Sequence, residues 1–113
     1  MCKEYNGWSN YETWNANLWI GNEEGVDNMA VERCKQEVEY CIDEGLQRFH
    51  AEYRCGEVLK DIFEELWFQE IPAGPVGDAI GCYLSMINWR EIGDHYYQTV
   101  MELIESEKEV SND

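Results

Sequence analysis

An all-α fold, a compact bundle of about five helices around one core, is predicted by three features of the chain. Apolar residues recur at intervals of three and four along most of its length. Two helix starts carry a capping signal, Ser9 with Glu12 and Asn88 with Glu91. No stretch alternates apolar and polar residues between hairpin signals, as a half-buried strand would. At 113 residues the chain is long enough for one hydrophobic core and reads as a single domain, 1–113, without internal repeat or linker. Its 44% hydrophobic and 13% aromatic content, with two prolines, separates it from disordered acidic chains, which are poor in aromatics.

The Ser9–Glu12 capping box starts a first helix over residues 10–20, with Gly21 and Gly25 marking its exit. Tyr11, Trp14 and Leu18 share one face of it. Asp27 can cap a second helix, in which Val31, Cys34, Val38, Ile42, Leu46, Phe49 and Tyr53 keep phase through Gly45. That pattern fits one long helix tolerating a glycine, or two helices meeting there. A third segment gathers Leu59, Ile62, Phe63, Leu66 and Trp67 and stops at IPAGP, residues 71–75, where the prolines remove donors and turn their preceding residues away from helix. Val76, Ile80, Leu84 and Ile87 then suggest a short buried helix. Asn88 caps the last one, whose core stripe is Trp89, Ile92, Tyr96, Val100, Leu103 and Ile104, and whose tail, SEKEVSND, frays.

The charge is extreme: 24 acidic residues against 8 basic ones give a formal net of −16. Self-repulsion on that scale weakens the compact state, so its reason lies outside the fold. It excludes direct binding to nucleic acid or an anionic membrane, which need a basic footprint, and it points to a basic partner. Acidity that merely keeps an aromatic-rich protein soluble, or suits a saline host, is the alternative. Residues 23–44 hold eight acids and two bases, residues 91–113 seven and one. A 100° step per residue puts Glu91, Asp94, Gln98, Glu102, Glu105 and Glu109 opposite the core stripe of the last helix. On the second, Glu32, Glu39 and Asp43 form one line and Glu37 and Glu44 another. Carboxylates one turn apart lie about 6 Å apart along the axis, against about 3.4 Å between phosphates of a DNA strand, a spacing compatible with mimicry. These ten carboxylates, Glu32, Glu37, Glu39, Asp43, Glu44, Glu91, Asp94, Glu102, Glu105 and Glu109, are the candidate partner-binding residues.

Catalytic, cofactor-binding and metal-binding residues are not expected. The chain has no phosphate-cradling glycine loop, H-E-x-x-H, zinc spacing or G-x-S-x-G. His50 with Cys55 and His95 with Asp94 are partial ligand sets without further ligands at local spacing. Five cysteines, Cys2, Cys34, Cys41, Cys55 and Cys82, form no C-x-x-C pair, and the start MCKEYNGW has no apolar signal region. Small core thiols in a reducing cytoplasm follow. The stretch GWSNYETWN opens a helix rich in tryptophan. Trp14 reads as core, anchoring a short helix that would otherwise fray; Trp8 and Trp19 point away from that seam, and Trp19 is either a further core residue or, if exposed, an aromatic anchor on a partner.

The opening YNGWSNYETWNANLWIGNEEG and the later INWREIGDHY resemble a group of small uncharacterised proteins carried by phages, prophages and plasmids. Its members share a GW-x-N-x-x-T-W start and an NW-x-EI-like helix near the end. The likeness covers about the first 25 residues and residues 87–97, and its motif is a family label rather than a catalytic signature. It implies a mobile-element context, in which small acidic proteins act as anti-restriction or anti-CRISPR inhibitors. With the charge, the expectation is a non-enzymatic inhibitor of a host defence complex, an acidic mimic occupying a basic DNA- or RNA-binding channel. The alternative is an adaptor that binds through exposed Trp19, Tyr97 or Phe68, its acidity serving solubility.

Overall fold

The computed structural model describes residues 5–111, with side chains to Lys108, as five helices: α1 (Tyr11–Asn22), α2 (Glu24–Asp43), α3 (Arg48–Trp67), α4 (Pro75–Met86) and α5 (Trp89–Ser111). The described residues contain no strand; Tyr5 and Trp8 make one isolated bridge ahead of α1. Helices α2, α3 and α5 surround a single core, with α1 and α4 against its flank, and the α3–α5 interface is the largest. Cys2 lies outside the described residues.

Asn10, not Ser9, caps α1: its side chain accepts the Thr13 amide at 2.8 Å. Ser9 is engaged elsewhere, donating its hydroxyl to Glu91 at 2.7 Å and its amide to the same carboxylate at 3.2 Å. The buried face of α1 is Thr13, Ala16 and Ile20, in place of the expected Tyr11, Trp14 and Leu18. Small residues let α1 approach its neighbours closely, and the Thr13 hydroxyl accepts the Asn88 amide at 2.8 Å. Tyr11 is exposed, and Trp14 is half-buried in a surface ring cluster with Tyr5 and Tyr11, centroids 4.9 and 5.5 Å away.

Only Glu23 separates α1 from α2, so Gly25 lies within the first turn of α2 rather than at an exit. Asp27 is likewise inside α2 and is not its cap; it accepts the Tyr96 hydroxyl at 2.7 Å. Gly45, at φ +71°, breaks the apolar stripe into two helices, a conformation open to glycine at little cost. The phase does not survive that break. Helix α2 buries Ala30, Cys34, Val38 and Cys41, and α3 buries Ala51, Cys55, Leu59, Ile62 and Phe63, while Ile42, Leu46, Phe49, Tyr53 and Leu66 are exposed. The core thiols are as expected, and Cys34 and Cys55 each aim Sγ at the other's carbonyl, 3.9 Å away. Cys82 is exposed.

Helix α4 contains no buried residue, against expectation; Val76 is exposed, Ile80 and Leu84 are half-buried, and Ile87 beyond its end is buried. In α5, Asn88 accepts the Glu91 amide at 3.1 Å. The reciprocal half of that capping box is absent, because the Glu91 carboxylate serves Ser9. Ile92, Tyr96, Val100 and Ile104 are buried, Leu103 is not, and the helix runs on to Ser111 rather than fraying at residue 106. Burial of each large aliphatic contributes about 1.5–3 kcal/mol. The α3–α5 crossing is close because glycines meet there: a Cβ on Gly93 would stand 2.5 Å from the Glu52 carbonyl oxygen and 2.6 Å from the Gly56 nitrogen.

Candidate functional site

The placement of the few bases decides which carboxylates are available. Lys35 of α2 pairs with Glu107 of α5 at 2.8 Å and with Glu39 at 3.9 Å. Arg54 of α3 pairs with Glu37 of α2 at 2.8 Å and lies over the Tyr40 ring, 4.7 Å from its centroid. Arg48 joins Glu52 on its own helix at 2.6 Å and Asp94 of α5 at 3.0 Å, and Arg90 of α5 returns to Glu52 at 3.5 Å. Each of these four bases thus bridges two helices. The hydrogen bonds that Lys35, Arg48 and Arg54 donate to Glu107, Glu52 and Glu37, respectively, hold these bases above their usual pKa values.

The ten candidate carboxylates therefore divide. Glu37, Glu39 and Asp94 are in those bridges and Glu91 holds Ser9. Burial pushes the Asp94 carboxyl up, but hydrogen bonds led by that from Arg48 outweigh it and leave it below its ordinary value. Glu32 lies in the field of Lys35. Asp43, Glu44, Glu102 and Glu105 are exposed and make no ion pair among the described residues. Glu109 is on α5, its side chain outside the described residues.

Two open clefts between α2 and α5 bring acids of both helices together. One, of about 510 Å³, takes Glu32 from α2 and Glu102 from α5, with Val31 and Leu103 as apolar lining and the Lys35–Glu107 pair in its wall. The other, of about 330 Å³, holds Glu39, Asp43 and Lys108 around Ile42 and Ile104. Glu107, central to the first, was missed in the sequence because it falls on the core stripe of α5, at positions 96, 100, 103 and 107. A charge in that register was the available signal, since it needs a cation from the facing helix.

Trp19 is exposed, which decides between the two expectations for it, and belongs to a different feature. With Asn15 of α1, Phe63 and Trp67 of α3, Phe68, and Tyr83 of α4 it lines an aromatic cleft of about 280 Å³. Trp19 and Trp67 sit edge-to-face at 6.3 Å, and Phe63 contacts Trp67 at 5.3 Å and Phe68 at 5.2 Å. Tyr83 donates its hydroxyl to Asn15 at 2.7 Å, and burial, with Tyr11 and Glu12 adding, pushes its pKa up to about 12. Trp67 and Tyr83 were not legible as partners of Trp19: the stripe read on α4, Val76, Ile80, Leu84 and Ile87, leaves Tyr83 out, and Trp67 groups with the apolar residues of α3. Phe68 is half-buried in this cluster, and Tyr97 is half-buried beneath the Arg48 guanidinium, 4.8 Å from the ring centroid.

Among the described residues no group of three or more His, Cys, Asp or Glu side chains stands where it could hold a metal ion, and no helix is long and apolar enough to cross a membrane. No curated protein and no solved structure matches the chain. One family does match, over residues 1–74, which carry α1, α2, α3 and the whole of the following loop, and the chain belongs to it: the family of unknown function DUF7249.

Proposed function

We propose that the protein is a non-catalytic inhibitor that binds a basic, nucleic-acid-binding surface of a host defence complex through the acidic α2–α5 face. The observation that carries this reading is the division of charge: four of the eight bases are spent on bridges between helices, while Asp43, Glu44, Glu102 and Glu105 stand exposed and unpaired among the described residues. A solvated helical face normally mixes both signs, and like charges one turn apart cost a few tenths of a kcal/mol each. A Lys/Arg channel would relieve that repulsion and release counterions from the partner's own surface. The mechanism is competition: carboxylates occupy the channel built for DNA or guide RNA, as an anti-CRISPR or anti-restriction protein acting in the host cytoplasm would.

The test is salt dependence combined with charge reversal. Affinity for the isolated partner should fall at least about tenfold between about 50 and 200 mM salt, and nucleic acid should compete. Glu102→Lys with Glu105→Lys should abolish binding at unchanged helicity, whereas Glu91→Gln should lower stability and leave binding intact. Binding indifferent to salt and to the double reversal would overturn the reading. The exposed aromatics favour a second reading, an adaptor docking through Trp19 and Trp67, which predicts salt-insensitive binding lost on replacing either tryptophan.

A further inference from the structure

We infer that the aromatic cleft between α1, α3 and α4 receives one organic cation, the guanidinium or ammonium head of a side chain presented by a basic partner. The inference rests on the basic-partner reading above and names the pocket in which such a partner is anchored.

Five rings supply the cleft with π-faces and edges, and two of them are partly open to water, Trp19 at 48% and Trp67 at 39% exposure. Phe63, 2% exposed, forms a fixed floor against which Trp67 and Phe68 pack. Apart from the indole N–H groups, the polar side chains of the lining are engaged: Tyr83 donates to Asn15, whose amide donates to Tyr11. What the site offers a ligand is therefore ring surface, and a volume of about 280 Å³ lies below that of pockets for drug-sized molecules, suited to one side-chain head.

Ring surface alone would accept an alkyl chain, a nucleobase or a cation. Charge selects among them. Glu12, Asn15 and Trp19 lie at i, i+3 and i+7 on α1, and the Glu12 carboxylate acts on Tyr83. Phe68 is also a wall of the neighbouring cleft, which holds Asp61, Glu64 and Glu65 with Arg33 as its single base. Within a chain of net charge −16, this field repels a phosphate-bearing nucleotide and concentrates a cation. Tryptophan is the strongest cation–π partner among the side chains.

Titrating the full-length protein with N-acetyl-arginine amide, read at the indole N–H signals of the five tryptophans, tests the assignment. Saturable shifts are expected at Trp19 and Trp67, while N-acetyl-citrulline amide, neutral and nearly isosteric, should bind at least about tenfold more weakly. Trp19→Leu, or Trp67→Leu should the first variant lose helicity, should weaken the arginine probe by a similar factor. Equal binding of the citrulline probe would make the cleft an apolar pocket, and tighter binding of adenosine would make it a base-stacking one; either overturns the assignment. The titration needs no partner, so it is decided separately from the α2–α5 face. Probe shifts that persist in the Glu102→Lys, Glu105→Lys variant support the cleft, and shifts that vanish there overturn it.

Discussion

Tyr96 donates its hydroxyl to Asp27 at 2.7 Å and so ties the middle of α5 to the first turns of α2. Tyr96 is 4% exposed, and burial, with the carboxylate adding, raises its pKa. Tyr96→Phe removes the donor and leaves a partly buried carboxylate without it. A loss of about 1–3 kcal/mol is expected, read from the urea midpoint at unchanged slope. A midpoint equal to that of the parent would show that water replaces the phenol at no cost.

Gly93→Ala should be far more damaging than an Ala in place of Gly usually is within a helix. Helix propensity would favour it by up to about 1 kcal/mol. The added methyl, however, would stand 2.5 Å from a backbone oxygen of α3 that cannot rotate away. Overpacking of this kind costs about 1–3 kcal/mol or more, so a lowered melting temperature is expected, whereas the control Gly21→Ala, which lies in α1 and meets open space, should leave it unchanged or raise it.

Added salt should raise the melting temperature. Screening weakens both the inter-helix pairs and the repulsion among unpaired acids, but few pairs stand against a net charge of −16. Repulsion is therefore the larger quantity. Scans at about 10 mM and 150 mM salt, where the Debye length falls from about 30 to 8 Å, check the sign. A fall in melting temperature would mean that the bridges dominate.

Tyr83 gives the alkaline limb of the stability curve a defined window. Its folded pKa lies near 12 against an ordinary 10.0, so between these values the unfolded chain releases a proton that the folded chain retains. The stability it contributes is complete below pH 10 and is lost as pH rises toward 12. Tyr83→Phe should flatten the decline over that interval in denaturation midpoints taken at stepped pH.

Helix type and number were legible in the sequence, as was most of the α5 stripe, because Ile92, Tyr96, Val100 and Ile104 are large, apolar and regularly spaced. The face of α1 was not. Hydrophobic size singled out Tyr11 and Trp14, whereas close approach is decided by small residues such as Thr13 and Ala16. Past Gly45 the regular spacing of Leu46, Phe49 and Tyr53 misled, since a left-handed glycine resets the direction of the chain and a period carries no memory across it. For the site, composition disclosed the acid but not its partition. Which carboxylates are committed depends on where Lys35, Arg48, Arg54 and Arg90 fall across helices distant in sequence.

The match over residues 1–74 stops before α5, yet the notch at Gly56 on α3 is shaped to accept Gly93. The α3 flank that packs on α5 therefore depends, in this chain, on residues beyond the matched range. In this chain the seam is keyed by backbone shape more than by chemistry: α5 can lie where it does only with a residue lacking a side chain at position 93, so sliding it by one residue along α3 would drive Asp94 or Ile92 into that backbone.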